Sequence, residues 1–421
     1  MALHDTLASG AAPRKAGPEF AENWGVLAAA TVGCGLGASS LPFYSFGTFI
    51  VPLTHQFGWT RGQMSAALVF MTLALAISSP VLGAAIDRFG VRRLGLIACP
   101  LLGLVFFALS ASTGSLPLFY ASFAAISLLA GGTTPINYTR AVNEAFSAAR
   151  GLALGIALAG LGLAAMVLPI FSSLVVTHLG WRAAYGAIGL LALCAWPALY
   201  LGLRGSPPRA QGWKSSSIGF TFLRSRTFWT LAVCCFFVSA AFAGLVVHIT
   251  PLLRDAGLST GNAALYAALI GFGGIVGRLT VGVLVDRLFA PWVAAATFAA
   301  SALGCVLLVT QGVAAAPIAI AIIGFSFGAE VDIISYLVAR YFGMARYGVI
   351  YGVIYSCFAV GAAFGPLVGG AVFDATHSYA NALWGAAAIL AAGAAGFITL
   401  PRFPHRSREA AVADISVVSA S

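Results

Sequence analysis

Three charged side chains stand inside long apolar runs of this sequence: Arg278, Glu330 and Asp332. A charge at the centre of a membrane helix costs about 3 kcal/mol, so such groups are kept where they are paired, hydrated or functional. Arginine can donate two parallel hydrogen bonds to a carboxylate. No acidic residue lies within one helical turn of Arg278 in the sequence. We therefore predict that Arg278 has no protein partner and binds a dissolved organic anion; the alternative is a structural ion pair with another helix.

Glu330 and Asp332 are candidates for proton transfer. Side chains of residues two positions apart on a helix point in directions that differ by about 200° around the helix axis. The two carboxyl groups are therefore not expected to face one cavity. Asp332 shares its face with Ser335 and Tyr336 and is expected to face water or ligand, whereas the face of Glu330 is apolar. A carboxyl group held between an apolar environment and an arginine can exchange protons as a cavity opens and closes. We predict that at least one of the two does so; the alternative is a permanent ion pair with a membrane arginine.

Other polar residues are further candidates. Arg140 either lines the cavity or extends to the membrane surface, and it is a second possible partner for the acids. His248 either carries a proton or satisfies a local hydrogen bond. The remaining candidates for the substrate site are Asn137, Tyr138, Tyr44 and Tyr336.

The elements that must position these groups are membrane helices. Of the 421 residues 60% are hydrophobic and 8% are charged, whereas a soluble domain carries about 25% charged residues. Apolar runs of about twenty residues, each long enough to cross a bilayer core of about 30 Å, recur along the chain. We predict an all-α membrane protein with twelve transmembrane helices at 24–53, 62–86, 93–112, 116–142, 150–177, 182–203, 227–253, 261–286, 291–311, 315–340, 347–373 and 379–400.

The basic residues are distributed unevenly among the predicted loops. The net charge is +10, and 17 of the 22 Lys and Arg residues fall in the termini and one set of alternate loops, against three in the other set. By the positive-inside rule, both termini are cytoplasmic. The charge therefore reports topology and does not indicate a nucleic-acid partner. The first apolar run is too long for a signal peptide.

The sequence consists of two similar halves. The segment 204–226 is the longest non-apolar stretch and is predicted to link six-helix bundles at 24–203 and 227–400. Residues 1–23 and 401–421 are predicted to be cytoplasmic tails. Anchors such as Gly83 and Gly282 recur at a constant offset of 199 residues. Two six-helix repeats in the same orientation predict a pseudo-symmetric pair of bundles.

A motif follows the second predicted helix and has a shorter copy in the second half. Its residues are Gly83, Asp87, Arg88, Gly90, Arg92 and Arg93, and those of the copy are Gly282, Asp286 and Arg287. The first copy resembles the signature G-x-x-x-D-R-x-G-x-R-R of the major facilitator superfamily at every specified position. An aspartate at a helix end can accept hydrogen bonds from the N–H groups at the start of a neighbouring helix. We expect a conformational latch; interfacial charge beside a turn glycine is the alternative.

Local segments resemble the bacterial monocarboxylate and oxalate:formate branch of the superfamily, at 57–61, 150–155, 248–253 and 328–343. In that branch an arginine of helix 8 binds the substrate carboxylate, and the resemblance places this role on Arg278. Animal members carry an aspartate four residues earlier, where this sequence has Gly274. The helix 11 lysine of the oxalate exchanger is missing, since that helix has no basic residue after Arg346. The resemblance therefore favours monocarboxylates over dicarboxylate exchange.

These observations together predict a secondary transporter of the bacterial inner membrane that moves small organic anions in symport with protons. Monocarboxylates are the main predicted substrates. An organic-anion exchanger and a proton-coupled drug exporter are the alternatives within transport. The sequence has no zinc-protease or serine-hydrolase motif, so we do not expect an enzyme. The seven cysteines lie in apolar runs without metal-ligand spacing, and no metal or other cofactor is expected. Each chain is expected to function as a monomer in the lipid bilayer.

Overall fold

The computed structural model describes residues 16–204, 220–258 and 260–404. Within these ranges the chain forms thirteen α-helices and three short 3-10 helices, and no strand. The α-helices are α1 (Ala16–Gly35), α2 (Leu41–Phe57), α3 (Arg61–Phe89), α4 (Val91–Ser110), α5 (Leu116–Leu129), α6 (Pro135–Ala145), α7 (Arg150–Gly202), α8 (Arg226–Asp255), α9 (Thr260–Arg287), α10 (Ala290–Gln311), α11 (Ala316–Phe342), α12 (Tyr347–Thr376) and α13 (Ala380–Ile398).

These helices account for the twelve predicted spans. The pair α1 and α2 forms the first span, and α5 and α6 form the fourth. The 53 residues of α7 turn at Gly180, whose φ of 84° is left-handed, so this helix supplies the fifth and sixth spans. Nine helices of the described residues are long and apolar enough to cross a membrane, by length and composition. The prediction of an all-α membrane protein is confirmed.

The outer surface of the helices is apolar. Ile77 and Val81 of α3, Leu179 of α7, Phe272 of α9 and Leu367 of α12 are each about two thirds exposed or more. A soluble monomer does not expose so much large apolar surface. Helices satisfy their own backbone hydrogen bonds and can therefore present such side chains to lipid.

Two helices of the first bundle are interrupted near the middle of the protein. The interruptions lie at 36–40, between α1 and α2, and at 130–134, between α5 and α6. Pro135 begins the second segment of the fourth span, because proline suits the first turn of a helix but not its interior. The backbone N–H of Ala38 donates to Thr133 Oγ1 at 3.1 Å, so the interruptions touch each other. The prediction of two continuous helices here is wrong.

The two bundles pack against each other at the end of the molecule that carries the arginine-rich loops, here called the basic end. Gly83 of α3 lies against Gly348 of α12, and Gly151 of α7 lies against Gly282 of α9. A Cβ on any of the four would overlap the facing backbone. One cluster of buried apolar side chains includes residues of both bundles. The basic end of the protein is therefore closed.

The described part of the predicted N-terminal tail is helical. The chain forms a helix from Ala16 and has a kink at Asn23 (φ −113°, ψ 15°), just before the predicted start of the first span at residue 24. Glu19 is 2% exposed and accepts hydrogen bonds from the N–H groups of Ser147, Ala148 and Ala149 and from the Ser147 hydroxyl, at 2.6–3.2 Å. This carboxylate fixes the start of α1 to the loop before α7. Much of the predicted linker and C-terminal tail lies outside the described residues.

Candidate functional site

Arg278 forms an ion pair with another residue of the protein. Its Nη1 donates to Asp332 Oδ1 at 2.8 Å, and the two side chains are 10% and 4% exposed. An arginine without an anion would be costly at this depth, and Asp332 supplies the missing charge. The two residues are 54 positions apart, on α9 and α11, which pack side by side. The prediction that Arg278 has no protein partner is therefore wrong, and the alternative of an ion pair with another helix is present.

The ion pair leaves capacity for a further ligand. Asp332 Oδ2 has no hydrogen-bond partner in the described part of the chain. A bidentate pair would engage both carboxylate oxygens, and it would hold the guanidinium more tightly. A guanidinium carries five N–H donors. A second acceptor can therefore bind Arg278, and it competes with Asp332 for the positive charge.

The 200° separation predicts that the two carboxyl groups cannot face one cavity, but Glu330 lies within electrostatic range of both Arg278 and Asp332. It is 3% exposed and interacts electrostatically with Cys235 of α8, Tyr355 of α12 and Arg278. Its Oε2 has no hydrogen-bond partner among residues 16–204, 220–258 and 260–404. One arginine and two acids thus share a buried region, here called the charged cluster (Arg278, Glu330 and Asp332).

The interrupted first span faces the charged cluster. Cys34 near the end of α1 and Tyr44 in the first turn of α2 both lie within electrostatic range of Arg278. The start of α2 therefore brings the positive end of its dipole to the middle of the protein. Half-helices that begin at the membrane midplane direct their N-termini at anionic groups in other transporters. The structure thus brings Tyr44 to the same region as the predicted arginine.

A row of tyrosines on α12 lies along the charged cluster. Tyr347, Tyr351 and Tyr355 follow one another at each turn, with ring centroids 5.2 and 5.8 Å apart. Tyr351 is within electrostatic range of Asp332, and Tyr355 of Glu330. The site predicted from the sequence does not include these three tyrosines. The spacing of four residues was the available signal, because it places three side chains on one helix face.

The tyrosine nearest the basic end belongs to a hydrogen-bond cluster between the bundles, here called the interbundle cluster (Thr139, Asn143, Ser335 and Tyr347). The Tyr347 hydroxyl is 3.1 Å from Thr139 Oγ1 and 2.8 Å from Ser335 Oγ. Asn143 Nδ2 donates to Ser335 Oγ at 2.9 Å and to the Tyr347 hydroxyl at 3.3 Å. All four side chains are buried. They lie between the charged cluster and the basic end, and their hydrogen bonds join the two bundles there.

Asn137 and Tyr138 are turned into the packing of the first bundle. Asn137 Nδ2 donates to the carbonyl oxygens of Val91 at 3.0 Å and Gly132 at 2.8 Å. The ring of Tyr138 lies against Gly33. Both side chains are 0% exposed. These contacts give the two residues a structural role, and substrate binding by them stays a prediction.

Arg140 is engaged by acids at the basic end. It forms ion pairs with Asp87 and with Glu144, the latter at 2.8 Å. Both partners lie at the basic end, which favours the interfacial interpretation, and a role of Arg140 in the substrate site stays a prediction. Tyr336 also points toward this end, within electrostatic range of Arg150. The structure does not bring Arg140 and Tyr336 to Arg278.

The aspartates of both motif copies cap helix starts in the opposite bundle. Asp87 accepts from the N–H groups of Gly348 and Val349 at 3.0 Å each. Asp286 accepts from those of Gly151 and the following residue, at 2.7 and 3.0 Å. Each carboxylate thereby stabilises the positive end of a helix dipole. That these contacts break during transport stays a prediction.

The other motif residues shape the same surface. Gly90, with a φ of 82°, ends α3 in a conformation that a side chain would strain. Arg88 lies over the ring of Phe89 and Arg92 over that of Tyr200, at 5.2 and 5.1 Å from the ring centroids. The exposed arginines of this surface include Arg93 and Arg287.

His248 lies apart from the charged cluster. Its Nε2 is 2.9 Å from the Pro366 carbonyl oxygen, and its Nδ1 is 3.4 Å from the Tyr379 hydroxyl. It is 13 residues beyond Cys235 on α8, about 20 Å along the helix. It lines an apolar cavity of about 390 Å³ between α8, α12 and α13. Proton transfer by His248 stays a prediction.

The fold and the site define a class of protein. Two six-helix bundles that meet around a buried charged region, with matching contacts in each half, form a secondary transporter. Residues 32–366 match the Major Facilitator Superfamily. The chain belongs to this superfamily, and the predicted major facilitator fold is confirmed.

The comparisons also identify relatives. The chain is 26% identical to an uncharacterized MFS-type transporter, YhjX, of Escherichia coli K12, over 76% of this chain and 81% of the relative. It is 28% identical to monocarboxylate transporter 13 of Bos taurus, over 85% of each chain. The solved structure of the E. coli fucose:proton symporter has a TM-score of 0.71 with 16% identity, and covers 89% of this chain and 97% of its own. This last likeness shows the fold alone.

Proposed function

We propose that the protein carries small organic monoanions across the inner membrane in symport with protons. Monocarboxylates are the main substrate class of this proposal. The observation that carries the proposal is the buried ion pair between Arg278 and Asp332. The similarity to monocarboxylate transporter 13 supports the choice of substrate.

The ion pair provides a way to couple the two solutes. While Asp332 is ionised it occupies the guanidinium, and an incoming carboxylate must compete with it. Protonation of Asp332 removes its charge, and the freed guanidinium then requires a new anion because an unpaired buried charge is costly. Proton binding and anion binding therefore each favour the other, which is the reciprocity that coupling requires. Tyr44, which lies within electrostatic range of Arg278, is a candidate second donor to the carboxylate.

Charge balance favours symport over movement of the anion alone. The membrane potential opposes the entry of an anion by about 2.3 kcal/mol per 100 mV. One accompanying proton cancels this cost. The charged cluster keeps the same net charge before loading and after it, because the proton neutralises Asp332 and the substrate carboxylate replaces it beside Arg278.

The closed basic end corresponds to one state of the cycle. With both termini in the cytoplasm, as the positive-inside rule predicts, the closed side is the cytoplasmic side and loading takes place from outside. Release then requires separation of the Asp87 and Asp286 caps and of the interbundle cluster.

Uptake of radiolabelled acetate and lactate into proteoliposomes tests the proposal. We expect an inward proton gradient to drive uptake by the wild type. Asp332→Asn should abolish the response to the gradient while keeping exchange of internal and external anion, because the guanidinium is then permanently free. Arg278→Lys should lower uptake by about tenfold or more, since an ammonium cannot reproduce the planar fork.

The matched control is Asp255→Asn, because this aspartate is the last residue of α8 and its side chain is exposed. It should leave uptake and its pH response unchanged. Proton-driven uptake that survives in Asp332→Asn would contradict the coupling role. Undiminished uptake in Arg278→Lys would contradict the binding role.

A further inference from the structure

Glu330 is a buried acid that the coupling mechanism does not use. Its side chain is 3% exposed, and Oε2 has no hydrogen-bond partner in the ranges that the structure describes. The guanidinium of Arg278 nevertheless lies within its electrostatic range. An unpaired polar atom in this position has capacity for a ligand, because a buried polar group without a partner is destabilising.

Charge counting assigns a protonation state to this residue. Among the residues that the structure describes, the titratable and charged groups around Glu330 are Arg278 and Asp332 of the charged cluster and, from the surrounding helices, Cys34, Tyr44, Cys235, Tyr351 and Tyr355. Arg278 is the one cation of this set, and it is shared by two carboxyl groups. When two acids share one buried cation, ionisation of both leaves an uncompensated charge, and one retains its proton. Asp332 holds the hydrogen bond to Arg278, so Glu330 is the acid that keeps a proton.

We propose that Glu330 stays protonated throughout the transport cycle and donates its hydrogen to the substrate carboxylate beside Arg278. This inference rests on the proposed transport function and assigns separate roles to the two acids. Asp332 exchanges the transported proton, and Glu330 is a binding residue that acts as a neutral donor. One cation and one neutral donor together fit a single carboxylate. A second carboxylate on the substrate would have no cation to meet, so dicarboxylates are rejected.

Paired substitutions separate these roles. Glu330→Gln keeps a neutral donor of the same length, and Glu330→Met keeps the shape without a donor. We expect Glu330→Gln to retain kcat, the pH profile and the proton-to-anion ratio, with KM within about threefold of the wild type. Glu330→Met should raise KM by about tenfold or more with the ratio unchanged, because a hydrogen bond to a charged acceptor is lost. Glu22→Gln on the exposed surface of α1 is the control that changes nothing.

Two results would overturn the inference. Loss of the pH response in Glu330→Gln would make Glu330 the exchanging acid, and an unchanged KM in Glu330→Met would remove it from the binding site.

An infrared difference spectrum of wild type minus Glu330→Gln gives a readout that does not depend on transport or on the folding of the Met variant. It should show the C=O band of a protonated carboxyl group at neutral pH. Absence of the band overturns the inference whatever the uptake assays show. A band in a protein that takes up no monocarboxylate contradicts the proposed function instead, and with it the substrate role of Glu330.

Discussion

At the scale of single residues, the charged cluster combines a feature that the sequence shows with others that it does not. The depth of Arg278, Glu330 and Asp332 in apolar runs is visible from the sequence. The approach of both acids to Arg278 is not, because residues two positions apart on a helix are expected to point in opposite directions. The partner of Arg278 is not visible, because it lies on another helix 54 residues away. Helix packing decides such a pair, and one sequence does not specify which helix faces pack. In the structure Arg278 is shared by Asp332 and Glu330, whereas the sequence predicts an arginine without a protein partner.

The first prediction at this scale concerns stability. Arg278→Gln alone leaves Asp332 without its partner, and breaking a buried pair in this way costs about 3–5 kcal/mol. The double variant Arg278→Gln with Asp332→Asn removes both charges and should recover most of that loss. Thermal unfolding in detergent measures both. A double variant no more stable than the single one would show that the pair is not the reason for the loss.

The second prediction concerns Glu19, which precedes the first span. Burial raises the pKa of this carboxyl, but hydrogen bonds from the Ser147 hydroxyl and three backbone N–H groups outweigh burial and hold the pKa below its ordinary value of 4.5. The contact therefore stabilises the folded state fully above that value, and the contribution is lost as the pH falls through the lower folded-state pKa.

Thermal midpoints measured from pH 7 down to pH 3 test this pH dependence. The wild type should be more stable than Glu19→Gln at neutral pH, and the difference should shrink in acid. Glu22→Gln, on the same helix but exposed, should show no such difference. A gap between wild type and Glu19→Gln that widens in acid would contradict the assignment.

At the scale of helices, the two bundles contribute different features to the site. The first and fourth spans are interrupted, and they bring helix starts and hydroxyl groups to the middle of the protein. The equivalent helices of the second bundle, α8 and α11, are continuous, and α11 carries both acids. The sequence contains the signals for the interruptions, in Gly131-Gly132 followed by Pro135 and in Gly35 and Gly37 before Pro42. Glycine and proline are also frequent in unbroken membrane helices, so their presence alone does not show whether a span is interrupted or continuous.

The interbundle cluster gives a prediction at this scale. Tyr347→Phe removes the hydroxyl that joins Thr139, Asn143 and Ser335 while keeping the ring, so the closed state should lose stability and the basic end should open more often. Tyr185→Phe is the matched control, because that tyrosine of α7 is also buried and its hydroxyl has no partner among the described residues. Labelling of a cysteine placed at Ala339, which is 5% exposed and lies one turn beyond Ser335 on α11, reports the opening on a background whose exposed Cys194 is replaced. Equal labelling rates in both Phe variants would contradict the gating role.

At the scale of the whole molecule, the repeat explains the contact between bundles. The pairs Gly83 with Gly348 and Gly282 with Gly151 are related by the repeat, and the aspartate one turn after Gly83 and Gly282 caps the facing helix in each case. The offset in the sequence predicts that both halves have equivalent parts. It does not predict that the parts of one half bind those of the other, because the orientation of the bundles is a tertiary property.

A steric probe of this contact gives the last prediction. Gly282→Ala places a Cβ about 2.5 Å from the Gly151 carbonyl oxygen, so the bundles must separate at the basic end. Spin labels at Thr113 and Ser378, which are exposed at the opposite end of the two bundles, should then move closer together. Gly385→Ala is the control, since a Cβ there has open space. An unchanged distance between the labels would show that the two ends are not coupled.

The apolar cluster shared by the two bundles has a thermal consequence. Leu154 and Leu158 of the first bundle belong to the same buried group as Val281 and Ile350 of the second, so separation of the bundles at the basic end wets apolar surface. Exposure of such surface raises the heat capacity, and the attraction that opposes it weakens on cooling. The balance between the two states should therefore follow a curved van't Hoff plot, with the cold favouring an open basic end.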